Sequence, residues 1–132
     1  MADTSNTQRR KIITIIKKAL DPETKFGAYI EVARTQRQYG DKFPFDTLRF
    51  DCLLPLCYVG DEVGKRWLYD RYEKKLKLKD IAAAYHIKHI TVITRRIESV
   101  LDTTVDCMHQ DQAWFILGVF KVEYGNADPD TI

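Results

Sequence analysis

Between Ile81 and Ile97 the chain reads IAAAYHIKHITVITRRI, and few arrangements accommodate its apolar spacing. Taking Ile90 as the origin and about 100° per residue, Ile93, Ile97, Val100 and Leu101 fall on one helix face. Thr91, Val92, Arg95 and Ser99 fall on the opposite face, with Arg96 at its flank and Lys88 and His89 at the N-terminal end. Ahead of them, Ile81, Tyr85 and Ile87 supply inward positions for a shorter helix and its turn, and Ala82 is the small residue that permits a close crossing. The segment is therefore expected to form two helices around a tight turn, the second over about residues 90–101.

Two details set its register. His86 stands where such turns commonly carry glycine, a position that often needs φ > 0. Val92 follows Ile87 by five residues, but four more reach Arg96, which that register would bury. Taking Ile93 as the inward residue buries no arginine. It turns Val92 outward and makes the turn one residue longer.

The remainder also reads as helix. Ser5 and Gln8 fit a capping box, after which Ile12, Ile13, Ile15, Ile16, Ala19 and Leu20 recur at helical spacing over residues 6–20. Asp21 and Pro22 suit the cap and first position of a second helix that carries Phe26, Tyr29, Ile30 and Ala33 inward and stops at Gly40. In residues 40–60, Asp46 could cap a short helix TLRFDCLL ended by Pro55, and a β-hairpin is the alternative. Val63, Trp67, Leu68, Arg71 and Tyr72 form a further stripe, with Trp67, Tyr69 and Tyr72 read as core rather than as stacking platforms. A last helix over 105–124, ended by Gly125, is apolar nearly all round in AWFILGVF and needs cover on more than one side. The tail NADPDTI is expected to fray.

The fold class is accordingly mostly α: one small helical domain over 1–132 containing a helix-turn-helix. Its parts are an N-terminal helical portion of unassigned role at 1–60, the helix-turn-helix region at 61–101, and a long C-terminal helix with its tail at 102–132. With 45% hydrophobic and 30% charged residues, the composition is that of a globular chain. It has no apolar run near the roughly 20 residues of a membrane span. The N-terminus, MADTSNTQRR, has no apolar signal core behind it, so an intracellular, cytoplasmic location is expected. The odd count of Cys52, Cys57 and Cys107 is a poor disulfide framework, and buried free thiols are expected.

The formal charge is only +2, but it is unevenly spread. Residues 63–101 hold ten Lys/Arg against four Asp/Glu, whereas 102–132 hold Lys121 alone against six acids. A basic patch of this kind attracts polyanions and releases their counterions on binding. Arg can take guanine with two hydrogen bonds, Thr is versatile, and an exposed Val can touch a thymine methyl. Thr91, Val92, Arg95 and Ser99 are thus the candidate base-reading residues, and Lys77, Lys79, Lys88, His89 and Arg96 the candidate phosphate contacts.

Residues 66–101, RWLYDRYEKKLKLKDIAAAYHIKHITVITRRIESVL, resemble the C-terminal DNA-binding region of sigma-70 factors, region 4. They are closer still to the small phage late-transcription activators of the RinA and ArpU kind. Arg71-Tyr72 matches the pair that ends the leading helix, Leu78-Lys79-Asp80-Ile81-Ala82 the start of the motif, and Arg95-Arg96 the basic residues of the recognition helix. Lys77 stands where that family usually has a capping Ser or Thr. The resemblance implies a sequence-specific transcriptional regulator of phage or mobile-element type that binds double-stranded DNA.

No phosphate-cradling glycine loop, H-E-x-x-H or G-x-S-x-G is present, so no enzyme activity is expected. No cofactor or metal is expected either. His86, His89, Cys107 and His109 offer zinc-type ligands, but not at zinc-finger spacing. A homodimer through residues 105–124 is the expected assembly. Two rival readings keep the same fold. One is a protein-interaction module that docks on RNA polymerase or inhibits a host nucleic-acid machine. The other is a DNA-packaging or conjugation accessory factor.

Overall fold

The computed structural model of the chain describes residues 5–28 and 49–132, and of 49–52 the backbone alone. Every regular element among the described residues is helical. Helix α1 spans Asn6–Leu20 and opens on the expected capping box. Ser5 Oγ accepts from the Gln8 N–H and Gln8 Oε1 accepts from the Ser5 N–H, both at 3.1 Å. Its buried face is Ile12, Ile15, Ile16, Ala19 and Leu20.

After α1 the chain turns before it becomes helical again. Asp21 does not cap the next helical turn. Its carboxylate accepts from the Glu23 N–H at 3.0 Å, and Thr24 Oγ1 caps residues 25–28 by accepting from the Gly27 N–H at 3.1 Å. The start expected at Pro22 therefore falls at 25. Phe26 is buried as its spacing predicts. Tyr29, Ile30, Ala33, the stop at Gly40 and the Asp46 cap lie outside the described residues.

Arg49–Tyr58 is a 3₁₀ segment that runs through Pro55 rather than ending there. Proline's fixed φ suits a 3₁₀ turn, so the segment loses one hydrogen bond at Pro55 and continues. Leu53, Leu56 and Val59 are buried. The β-hairpin alternative is not realised among the described residues.

Helix α2 spans Glu62–Tyr72, α3 Leu78–Ala84, α4 Ile90–Asp106 and α5 Gln110–Tyr124, and a 3₁₀ turn at Pro129–Thr131 closes the chain. α4 is the central element, packed against α1, α2, α3 and the 3₁₀ segment at 49–58, while α5 lies against α1. Trp67 and Leu68 of α2 and Ile81 and Ala82 of α3 join the buried face of α4 in one core.

Two helix bounds differ from expectation. α4 continues past Leu101 to Asp106 and takes Val105 with it, so α5 begins at Gln110. The physical reason is local. Thr104 buries its hydroxyl by donating to the Val100 carbonyl at 2.7 Å, and no glycine or proline interrupts 102–106. The break comes at Cys107–His109, where Gln112 Oε1 accepts from the His109 N–H at 2.9 Å. At its far end α5 stops at Gly125 with φ of 61°, as expected.

The tail is docked rather than frayed. Pro129 is buried, and Arg10 pairs with Asp128 and Asp130. Cys57 and Cys107 are free, but both are exposed, against the expectation of buried thiols; the side chain of Cys52 lies outside the described residues.

Candidate nucleic-acid interface

The turn between α3 and α4 is built around His86, at φ of 56°. The Ile87 N–H bonds the Ala82 carbonyl at 2.8 Å, and the His86 N–H bonds that of Ala83 at 3.4 Å. That paired pattern closes a helix on a left-handed residue and draws the following apolar residue, Ile87, back onto the helix. Histidine thus occupies a glycine-type position, which costs strain at its Cβ. The chain then runs through exposed Lys88 and an extended His89, which precedes α4 without a side-chain cap.

The register of α4 follows from burial. Ile93 is 0% exposed and Val92 is 47% exposed. Ile97, Val100 and Leu101 continue the inward face. Thr91, Val92, Arg95 and Ser99 are all exposed, as are Lys77, Lys79, Lys88, His89 and Arg96. Lys77 sits at the cap of α3 in an extended conformation and makes no capping hydrogen bond.

Electrostatics separate these residues into two groups. Arg66, Lys77, Lys79, Lys88 and Arg95 form no ion pair with an acid among the described residues. Arg96, though exposed, is instead engaged in an intramolecular pair. Its Nε donates to Asp61 Oδ2 and its Nη2 to Asp61 Oδ1, both at 2.8 Å. Its guanidinium also lies 5.4 Å from the centre of the Trp67 ring. Trp67 meets Tyr85 edge-on at 5.6 Å. Asp61 in turn caps α2 by accepting from the Gly64 N–H at 3.0 Å. The Arg96 hydrogen bonds, with the Gly64 N–H in support, hold the Asp61 carboxyl below its ordinary value; Asp61 likewise raises Arg96. Arg96, expected as a phosphate contact, is thus exposed but already paired with Asp61.

This link was not visible in the sequence. Nothing local connects Asp61 to a residue 35 positions later.

The acids of 102–132 are largely used within the fold. Arg9 donates to the Asp102 carbonyl at 3.0 Å and to Asp106 Oδ1 at 2.9 Å. Arg10 pairs with Asp128 and Asp130, and Lys25 meets Glu123 at 2.7 Å. Arg9, Arg10 and Lys25 are therefore offset by the C-terminal acids; within 63–101, Lys65, Lys74, Lys75 and Arg96 are paired with acids, and the five cations named above remain without one among the described residues. Along α4 the outer face changes sign: Arg95 lies near its start, and Asp102 and Asp106 near its end.

Among the described residues no three His, Cys, Asp or Glu side chains converge to hold a metal ion, so His86, His89, Cys107 and His109 do not assemble a site. None of the described helices is long and apolar enough to cross a membrane. No protein-family model, curated protein or solved structure matches the chain.

Proposed function

We propose that the chain binds double-stranded DNA by laying the first turns of α4 in the major groove. The observation that carries this reading is the outer face of α4. Thr91, Val92 and Arg95 are exposed over a closed core, beside cations that form no ion pair among the described residues. Arg95 would take a guanine edge, and Val92 and Thr91 would meet neighbouring bases. Lys77, Lys79, Lys88 and His89 would hold phosphates and set the register. The sign change along α4 favours entry by its N-terminal half, because Asp102 and Asp106 would be repelled by a phosphate backbone. Ser99, between the two halves, would be the last residue in reach of a base.

Regulation of transcription, of phage or mobile-element type, is inferred from the resemblance of residues 66–101 to sigma region 4 and the late-transcription activators. A second copy docking through α5 would give two half-sites about one helical turn apart. Exposure of Trp114 (62%) and Val122 (83%) supports that assembly.

A protein partner, such as RNA polymerase, is the second reading. It is favoured by the apolar groove that Phe26, Trp114, Phe115, Val119 and Val122 line.

The test is a fluorescence-anisotropy titration of duplex DNA enriched from a random-sequence pool. Saturable binding that weakens steeply with salt supports the DNA reading. No binding at low salt, together with co-purification of a host protein, supports the second.

A further inference from the structure

Arg95 and Arg96 are adjacent on α4 but have different surroundings. Arg95 has no acidic partner among the described residues, whereas Arg96 is held by Asp61 and stacked on Trp67. We infer that Arg96 is a positioning residue: it locks the outer face of α4 to the N-terminus of α2 and so fixes the angle at which Arg95 and Val92 meet a DNA groove. This rests on the DNA reading above.

Three further observations support it. Asp61 is shared, since one carboxylate both caps α2 and receives two hydrogen bonds from Arg96. The planar fork of an arginine makes that pair directional, which a lysine could not reproduce. Gly64 lies beneath the junction. A Cβ there would clash with Asp61 Oδ2 and sit 2.7 Å from Val100 Cγ2, so α2 and α4 approach closely here. Finally, Trp67 carries the contact onward to Tyr85 at the end of α3. The pair therefore ties together the three helices that set the pose of the recognition face.

A phosphate ligand and a positioning residue predict different outcomes. Removing a phosphate ligand weakens all sequences alike and lowers the salt slope by about 1. Loosening the pose costs the base contacts and leaves the backbone contacts in place. The experiment uses the full chain, a duplex enriched from a random pool, and a scrambled duplex of equal length. Arg96→Lys keeps the charge but loses the fork. Asp61→Asn keeps a competent cap and removes the charge of the partner. Circular dichroism and a melting curve identify the variants that are folded at the assay temperature.

Both variants are expected to lose about tenfold on the enriched duplex. Affinity for the scrambled duplex and the salt slope should be unchanged. Native-like binding by Arg96→Lys would overturn the inference, as would tighter binding by Asp61→Asn. So would an equal loss by Arg96→Ala on both duplexes with a shallower slope. If Arg96→Lys fails to fold, Asp61→Asn decides alone. If the native chain binds neither duplex at low salt, the DNA reading falls and the positioning role falls with it. If the native chain binds and the variants behave as phosphate ligands do, only the positioning role falls.

Discussion

Arg96 grips Asp61 through two hydrogen bonds of 2.8 Å, while Arg95, one residue earlier on the same helix, meets no acid among the described residues. Two adjacent, exposed arginines that look equivalent in the sequence are divided by the fold into one paired with the start of a neighbouring helix and one without an acidic partner among the described residues.

Arg95→Ala should cost about 1–3 kcal/mol against the preferred sequence and relax the preference at one base pair. Lys88→Ala should weaken every duplex alike and reduce the salt slope by about 1. Anisotropy titrations over a panel of single-base variants and several salt concentrations separate the two patterns. An Arg95→Ala loss spread evenly across the panel would remove Arg95 from base reading.

The exposures of Val92 and Ile93 give a register test that needs no DNA. Ile93→Ala empties a fully buried position and should cost about 2–5 kcal/mol in urea unfolding. Val92→Ala should stay within about 0.5 kcal/mol of the native chain. Reversed magnitudes would mean that the helix is rotated by one residue.

His86, at φ of 56°, carries a strain that glycine would relieve. His86→Gly should stabilise the chain by about 0.5–1 kcal/mol in urea unfolding, and His86→Val should destabilise it by more than that. A destabilising His86→Gly would show that the imidazole makes a contact outweighing its backbone strain.

Gly64→Ala should destabilise by about 1–3 kcal/mol, because the added Cβ meets both the Asp61 carboxylate and Val100. A neutral substitution in thermal unfolding would mean that the α2–α4 junction can open without cost.

The Asp61 carboxyl is held below its ordinary 3.8, first by the Arg96 hydrogen bonds and then by the Gly64 N–H. A carboxyl depressed in the folded state contributes stability that is fully present above the unfolded value and disappears as pH falls through the lower folded value. The native chain should therefore exceed Asp61→Asn by a constant margin around neutral pH. The margin should shrink below about pH 4 and vanish in stronger acid. A margin independent of pH down to strong acid, in unfolding followed by circular dichroism, would count against the ion pair.

What could be read from the sequence was mostly local. The Ser5–Gln8 box, the Gly125 stop and the Ile93 register depend on neighbours within a few residues or on apolar spacing, and the structure has all three. The positive φ at His86 could be anticipated because the motif demands a left-handed residue whatever side chain stands there. The misjudged features depended on distant partners. The tail reads as frayed until Arg10 is seen between Asp128 and Asp130. Asp21 reads as a helix cap, but its carboxylate closes its own turn and pairs with Lys75. The pairing of Arg96 was equally illegible, since its partner lies at a different helix terminus.

If the N-terminal half of α4 reads duplex DNA, as proposed, affinity must depend steeply on salt. Three or more lysine–phosphate contacts predict that log affinity falls against log salt with a slope of about −3 or steeper. Undetectable binding at low salt, or an affinity that does not change with salt, would contradict the account.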